Sequence, residues 1–581
     1  MKNLKFHEIV KNNKELNTLF DENQKKINIS ILSNISIHQL KPIIEYNFRS
    51  NNLNVDVTVK EYDNILQESS RINKDDIAIV FWELINIIES FPFEFINYNA
   101  KMRSAFFEKI TGELNLLFNN LENNKSVFIN KFSDTCFTNN HVSHHQYHAF
   151  IEELNNYLIK NKPANFIVID VTGVFKDIGI TNSIDFRSYY HSKTLYTISF
   201  YKEYIQYLNP YIFSILGKSK KAIIFDCDNT LWGGVAGEDG YLNLELSEKH
   251  KNGKYFKEIH LLIKNLISKG VIVGICSKNN FQDVADVFEK REDFLLEFDD
   301  FTIRKINWED KAKNLIEISK ELNIGIDSMV FVDDSEFEIG LINTLIAEIK
   351  TVKVPKNLFE YPAIISKKTS LFFDISNSSE DKMRNQMYKQ EGIRKKLLTA
   401  NESMDDYINK LGIKIEFSNK DEECLERIAQ LTQKTNQFNF TTKRYTVNDI
   451  KFFFNSSSYD VVSIRVSDNF GNFGVTGLCI LNYESNICQI DSFLMSCRIL
   501  GRNIEHVFLD ELFKFVTTKR KFKLLSATYN KTKKNIQVEN FFELKGFEVI
   551  YKSDESKKYQ MKVKNYNMKT KYNIATLWKK K

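Results

Sequence analysis

The stretch KAIIFDCDNTLWGGVAGEDG, Lys221–Gly240, decides how the rest of the chain is read. Its opening run, Ala222–Phe225, is short and wholly apolar, the pattern of a strand buried on both faces. Asp226 and Asp228 follow at once, separated only by Cys227, and then come Asn229, Thr230 and the Gly233-Gly234 pair that opens a tight turn. Two carboxylates at the C-terminal end of a buried strand sit where open α/β sheets bind ligands. Such acids are costly to bury unless a cation neutralises them. Mg²⁺ is the hard, oxygen-seeking candidate.

Working outward, two more predicted strands end in polar chemistry. Val271–Cys276 runs into Ser277-Lys278-Asn279-Asn280, a hydroxyl at a strand tip before a helix, suited to a phosphate oxygen. Ser328–Val332 runs into Asp333-Asp334-Ser335-Glu336. Between them INWEDK leads into a helix, with Lys311 at its start to supply positive charge and Lys313 as a nearby competitor for that role. An acid pair, a hydroxyl, a lysine and a second acid pair are what phosphoryl transfer needs, since its catalysis is mostly positioning and charge neutralisation. Neither gap between these motifs has room for a sizeable extra domain, so the predicted site is open and suits a bulky substrate.

Taken in order, DCDNTLWGGVAGEDG, CSKNN, INWEDK and FVDDSEFE resemble the motifs of the haloacid dehalogenase superfamily of phosphoryl-transfer enzymes. The long form of the first motif is similar to one branch, the FkbH-like proteins of subfamily IIIC. These are implicated in loading a glyceryl unit from a phosphoglycerate onto an acyl carrier protein. The resemblance implies a capless, Rossmann-like parallel sheet over residues 216–375. It makes Asp226 the nucleophile and Asp228 the general acid/base. Thr230, Ser277, Lys278, Asn279 and Lys311 would bind the substrate phosphate. Mg²⁺ would be held by Asp226, Asp333, Asp334 and the backbone carbonyl of Asp228, with the motif register favouring Asp334 for direct contact. By resemblance Cys227 would carry the glyceryl group as a thioester; by strand alternation it points away from both acids and is a small buried hydrophobe.

Before this region, the strands Ile29–Leu32, Val55–Val59, Ile77–Phe81 and Asn165–Asp170 alternate with helical segments such as 38–48, 83–90, 100–121 and 145–159, which predicts a three-layer α/β domain over residues 1–215. It resembles the SGNH hydrolase fold, with Ser33 at the place of the nucleophile. The surroundings read LSNIS rather than GDS, and His191 has no Asp three residues before it, so a docking or structural role is expected.

After it, the charged run from Ser378 predicts a helical linker over 376–405. Strands at Lys414–Phe417, Val461–Val466, Phe473–Leu481, Ile487–Phe493 and Phe522–Thr528, with helices at 424–432 and from about 505 to 518, predict an α+β domain over 406–581. This order resembles the GNAT fold. There a glycine-bearing loop at a helix N-terminus offers backbone N–H groups to a pyrophosphate, and Arg498, Gly501 and Asn503 occupy those positions. Asn503 departs from the small residue expected, though Asn tolerates left-handed backbone geometry. A pantetheine arm, which lacks the adenosine end of coenzyme A, is the ligand this departure still admits.

Bulk properties limit the alternatives. A chain of 581 residues with 43% apolar content should hold three or four domains with well-filled cores. A net charge of +5 over 80 basic and 75 acidic residues argues against a dedicated nucleic-acid partner. Seven irregularly spaced cysteines suggest a reducing compartment. Neither a leader nor a membrane span is legible, so a cytoplasmic protein with no membrane partner is expected. The sequence thus predicts an α/β multidomain Mg²⁺ enzyme of the FkbH type. It would dephosphorylate an activated three-carbon phosphoglycerate, 1,3-bisphosphoglycerate, and pass the glyceryl group to the phosphopantetheine arm of an acyl carrier protein in polyketide or secondary-metabolite precursor synthesis. A Mg²⁺ phosphatase of surface-polysaccharide precursors and a coenzyme A-dependent acyltransferase are the other readings.

Overall fold

Three β-sheets organise the chain in the computed structural model, which describes all residues except 2–3, 21–25, 88–93, 134–144, 376–389, 391–393, 395–403, 485, 520–521, 533, 567–573 and 580–581. The backbone falls into two compact units, Met1–Asn209 and Pro210–Lys581.

The first unit is built on β1 (Ile27–Ser33), β2 (Val55–Val59), β3 (Ile77–Phe81), β4 (Ser126–Asn130) and β5 (Phe166–Ile169). All are parallel, in the order β2-β1-β3-β4-β5. β3 reads IAIVF and is buried at every position, as a central parallel strand covered on both faces must be. β4, SVFIN, is equally buried but is absent from the sequence prediction. It follows the 22-residue helix Ala100–Leu121 after only a short polar turn, and five residues give periodicity little to work on. Of the helix expected over 83–90, the described residues form a single 3₁₀ turn, Leu84–Asn86, and 88–90 lie outside the described residues. Asn34 explains the change, because its side chain pins both the N–H and the carbonyl of Glu83 (2.8 and 2.9 Å).

In the second unit β6 (Ala222–Phe225), β7 (Ile272–Ser277), β8 (Ile303–Ile306), β9 (Met329–Asp333) and β10 (Lys350–Lys353) form another all-parallel sheet, in the order β10-β9-β6-β7-β8. β6 comes first in the chain and lies at the centre, so the crossovers leave it in opposite directions and open a crevice at its C-terminal end. Apolar side chains fill both faces. Phe225, Trp232, Phe256 and Val332 lie on one side, and Ile224, Leu315, Phe331 and Ile342 on the other. No further sheet interrupts the stretch between β6 and β10.

The third sheet has nine strands. β11 (Lys414–Asn419), β12 (Phe438–Asn439), β13 (Tyr459–Asp468), β14 (Gly471–Glu484), β15 (Ile487–Met495), β16 (Leu524–Asn530), β17 (Glu548–Lys552), β18 (Ser556–Lys562) and β19 (Ala575–Trp578) follow the order β17-β18-β16-β15-β14-β13-β11-β19, with β12 added to β15. β15 and β16 are parallel and pair only from Ile487↔Leu524 to Ile490↔Ala527. Beyond that point β12 pairs with Leu494 and Met495, and Asn530 N–H donates to the Phe440 carbonyl (2.7 Å). The gap between the two strands is therefore bridged by the chain itself. The second and third sheets are tied by Lys534 to Asp327 (2.6 Å) and by Asn323 Nδ2 to the Cys497 carbonyl (3.0 Å).

The expected linker 376–405 lies almost wholly outside the described residues. Within it, Arg394 is fully buried, and its Nε and Nη2 donate to the two Asp468 oxygens at 2.7 Å each. Among the described residues no helix is long and apolar enough to cross a membrane.

Candidate active site

Register brings the acids together. Phe225 pairs with Val332 across β6 and β9, so the next residue on each strand, Asp226 and Asp333, stand side by side at the crevice. Asp226 N–H also donates to the Val332 carbonyl (2.9 Å). Lys311 opens the helix Lys311–Glu321, and the side chain of Asp310 caps that helix by accepting Lys313 N–H (3.0 Å). Lys311 Nζ reaches Asp226 Oδ1 at 3.0 Å and Asp333 Oδ2 at 2.7 Å, and all three side chains are buried. Lys313 instead points outward to Glu309 (2.8 Å).

Burial penalises the charge of Lys311, but Asp226 and Asp333 outweigh that penalty and hold its ammonium above the ordinary range. Burial also raises Asp226, against the pull of Lys311. Burial and the neighbouring charge of Asp226 push Asp333 up to about 6. This is a pair of acids with too little positive charge around it.

Asp226, Asp333 and Asp334 each offer an oxygen within 4.8 Å of the others, a set of hard ligands fit for a divalent cation. The oxygens of Asp333 are already engaged, Oδ2 by Lys311 and Oδ1 by Ser335 N–H (2.8 Å). Asp334 is half-buried, and burial together with Asp333 raises its carboxyl, which a cation would reverse.

Asp228 leaves the strand and enters a turn made possible by Asn229, whose φ of 53° is left-handed. Its Oδ1 accepts Trp232 Nε1–H (2.9 Å) and Ala236 N–H (3.0 Å), and its Oδ2 accepts Asn279 Nδ2–H (2.8 Å). Burial nevertheless holds its carboxyl above the ordinary value. Ser277 ends β7 fully buried, and its hydroxyl lowers the Asp226 carboxyl against the effect of burial.

Three residues expected on the phosphate are directed elsewhere. Thr230 is fully buried, with its N–H on the Cys227 carbonyl (3.1 Å), because the turn after β6 folds it inward. Lys278 pairs with Glu338 at 2.7 Å. Asn279 spends its amide on Asp228. Cys227 is shut in the core, and burial, then the charge of Asp226, push its thiol well above its ordinary range. That environment disfavours the thiolate a carrier role needs, and the small-hydrophobe reading describes it.

Sequence reasoning passed over Trp232. Its signal was an indole four residues after the second acid, a spacing that a tight turn folds back onto Asp228.

Elsewhere, Ser33 Oγ donates to the Ile35 carbonyl (2.8 Å) and accepts Ile35 N–H (3.1 Å), closing a local turn, while His191 is exposed on the helix Phe186–Ser192. Arg498 lies in the 3₁₀ turn Cys497–Ile499, ahead of the helix Ile504–Lys519. Gly501 (φ 77°) and Asn503 (φ 60°) both adopt left-handed backbone there, and a Cβ at Gly501 would meet open space.

No protein-family model and no curated protein matches the chain. Among solved structures, the N-terminal part of protein BF1531 from Bacteroides fragilis, which contains a phosphatase domain and is complexed with Mg, is similar at 24% identity. The match covers 64% of this chain and 100% of that one, with a TM-score of 0.54. The ribosomal-protein-S18-alanine N-acetyltransferase from Escherichia coli matches at 10% identity over 26% of this chain and 94% of that one, with a TM-score of 0.21. Spermidine/spermine N-acetyltransferase SpeG from Vibrio cholerae matches at 12% identity over 26% and 96%, with a TM-score of 0.22. The first is a likeness of fold; the superposition of the other two is too low to bear on function.

Proposed function

We propose that this chain is a Mg²⁺-dependent phosphoryl-transfer enzyme that removes phosphate from an activated three-carbon phosphoglycerate and passes the glyceryl group to a carrier-protein thiol. The observation that carries the first half is the meeting of Asp226, Asp333 and Lys311 at 3.0 and 2.7 Å, with Asp334 beside them, at the crevice of a parallel sheet. Asp226, Asp333 and Asp334 would hold Mg²⁺, which would supply charge neutralisation for the phosphoryl oxygens. The fold shared with a Mg-bound phosphatase domain supports the same assignment.

In this reading Asp226 attacks the phosphorus of the C3 phosphate ester, not that of the acyl phosphate, and Lys311 fixes its orientation. As the P–O bond breaks, the proton of Asp228 goes to the leaving oxygen. Water then hydrolyses the aspartyl phosphate, with Asp228 taking its proton. The glyceryl transfer is a separate displacement. The carrier sulfur bonds to the acyl carbon of the acyl phosphate, the C–O bond to phosphate breaks, and the thiol proton leaves with the phosphate. Because the Cys227 thiol is buried and held protonated, the acyl group passes directly to the carrier and does not rest on that sulfur.

The test is incubation with Mg²⁺, 1,3-bisphosphoglycerate and a phosphopantetheinylated carrier, read by phosphate release and by the mass of the carrier. A glyceryl mass gain that survives Cys227→Ala is expected, whereas Asp226→Asn should release only the acyl phosphate and leave the carrier with a phosphoglyceryl mass gain. Phosphate release without mass gain would leave the phosphatase half alone standing. Release of both phosphates by Asp226→Asn would refute the phosphoryl-transfer half.

A further inference from the structure

We infer that Asn279 and Trp232 are positioning residues that dedicate a single oxygen of Asp228, Oδ2, to carrying the proton for the leaving group. The inference rests on the phosphoryl-transfer reading above and concerns the one step that reading leaves unplaced.

A carboxylate oxygen has two lone pairs in its plane. Oδ1 of Asp228 accepts Trp232 Nε1–H at 2.9 Å and Ala236 N–H at 3.0 Å, so both of its positions are filled. Among the described residues Oδ2 accepts only Asn279 Nδ2–H, at 2.8 Å, which leaves one position for a proton. The Asn279 amide could not serve if flipped. Its own Oδ1 takes Asn280 N–H (3.1 Å), which fixes the NH₂ side toward Asp228.

Both arms of the clamp are themselves held. Trp232 is fully buried and packs edge-on against Phe288 and Phe294, with centroids 6.3 and 5.8 Å away. Asn280, next to Asn279, accepts Trp308 Nε1–H (2.9 Å) and donates to Asp283 (3.0 Å). The carboxyl plane of Asp228 is thus fixed before any substrate arrives, which suits a site with no inserted domain to close over it. In the transfer, a bond forms from Asp226 oxygen to phosphorus while the bond to the leaving oxygen breaks. The proton on Asp228 Oδ2 moves to that oxygen, and its electron pair stays on a carboxylate already facing three N–H donors.

The experiment compares the intact chain with Asn279→Leu and Trp232→Phe on two substrates, an alkyl phosphate and 4-nitrophenyl phosphate. An alkoxide must be protonated as it leaves, whereas 4-nitrophenolate leaves without help. General acids contribute about 10²–10⁴-fold where they act, so the ratio of kcat/KM with the alkyl substrate to kcat/KM with the nitrophenyl substrate, which excludes the shared hydrolysis of the aspartyl phosphate, should fall at least about tenfold in Asn279→Leu and in the same direction in Trp232→Phe. An equal loss on both substrates would mean a merely structural or phosphate-holding role and would overturn the inference, as would an unchanged ratio. Should Asn279→Leu fail to fold, Trp232→Phe removes the indole N–H with a small loss of buried volume and, with folding checked by a melting curve, carries the same test. Asp226→Asn run alongside separates the two levels: if it retains turnover, the phosphoryl-transfer reading itself is wrong.

Discussion

Lys311 carries its charge to within 3.0 Å of Asp226 and 2.7 Å of Asp333 while almost wholly buried. Removing one partner from such a buried cluster leaves charge with nothing to answer it, at a cost of about 3–5 kcal/mol. Lys311→Met should therefore lower the thermal midpoint of the metal-free protein and abolish phosphate release, with Mg²⁺ recovering part of the stability but not the turnover. Lys313→Met should leave both unchanged, since that side chain meets only exposed Glu309. Equal behaviour of the two variants in a melting and phosphate-release assay would contradict this geometry. The sequence leaves the two lysines as rivals because both follow the same motif. Two positions along a helix turn a side chain to another face, and only the docking of that helix decides which face meets β9. The acids were legible because they end apolar runs. The partners of Asn279 and Lys278 were not, because they arise where the loop after β7 meets a turn and a helix far away in the chain.

The helix Gly253–Ser268 packs beneath the first motif, burying Phe256, Ile259, His260, Ile263 and Leu266. Its apolar spacing is plain in the sequence, and so are the strands that read as unbroken apolar runs. β8, Ile303–Ile306, is not, because an edge strand reading IRKI is only partly covered and carries charge at its centre. His260 is hidden in the same way, since a lone histidine inside a helical pattern gives no sign of its partner. Its Nε2 lies 2.7 Å from the Leu231 carbonyl, inside the turn that carries Asp228. Burial lowers its pKa from 6.5 to about 4, against the opposing pull of that carbonyl. Between those two values the unfolded chain binds a proton that the folded chain refuses, so stability falls as pH drops through that window, by roughly 3 kcal/mol in all. Between pH 7 and pH 5 the urea midpoint of the native chain should fall relative to that of His260→Gln, because raised acids such as Asp333 act equally in both. Parallel pH profiles of the two proteins would show that His260 is not a source of acid sensitivity.

At the scale of the molecule, every side chain assigned to phosphoryl transfer lies between Asp226 and Asp334, within the unit Pro210–Lys581. That unit also contains the ties between its two sheets, Lys534 to Asp327 and Asn323 to Cys497. The boundary at Asn209 and Pro210 falls inside the helix Ile198–Ile215, and proline has no N–H to give to a helical bond. A cut there therefore breaks no hydrogen bond donated by residue 210. Beyond it, Tyr211 packs on Phe373 at 4.7 Å, and Ser214 Oγ accepts Ile375 N–H at 3.1 Å, so the remaining turns keep partners within the second unit. The fragment 210–581 should fold and release phosphate with the kcat of the whole chain. The measurement is phosphate release in Mg²⁺ alongside a melting curve for both proteins. A fragment that melts as a folded protein yet has lost turnover would mean that residues of the first unit complete the site. The assignment of phosphoryl transfer to the crevice of the second sheet alone would then be wrong.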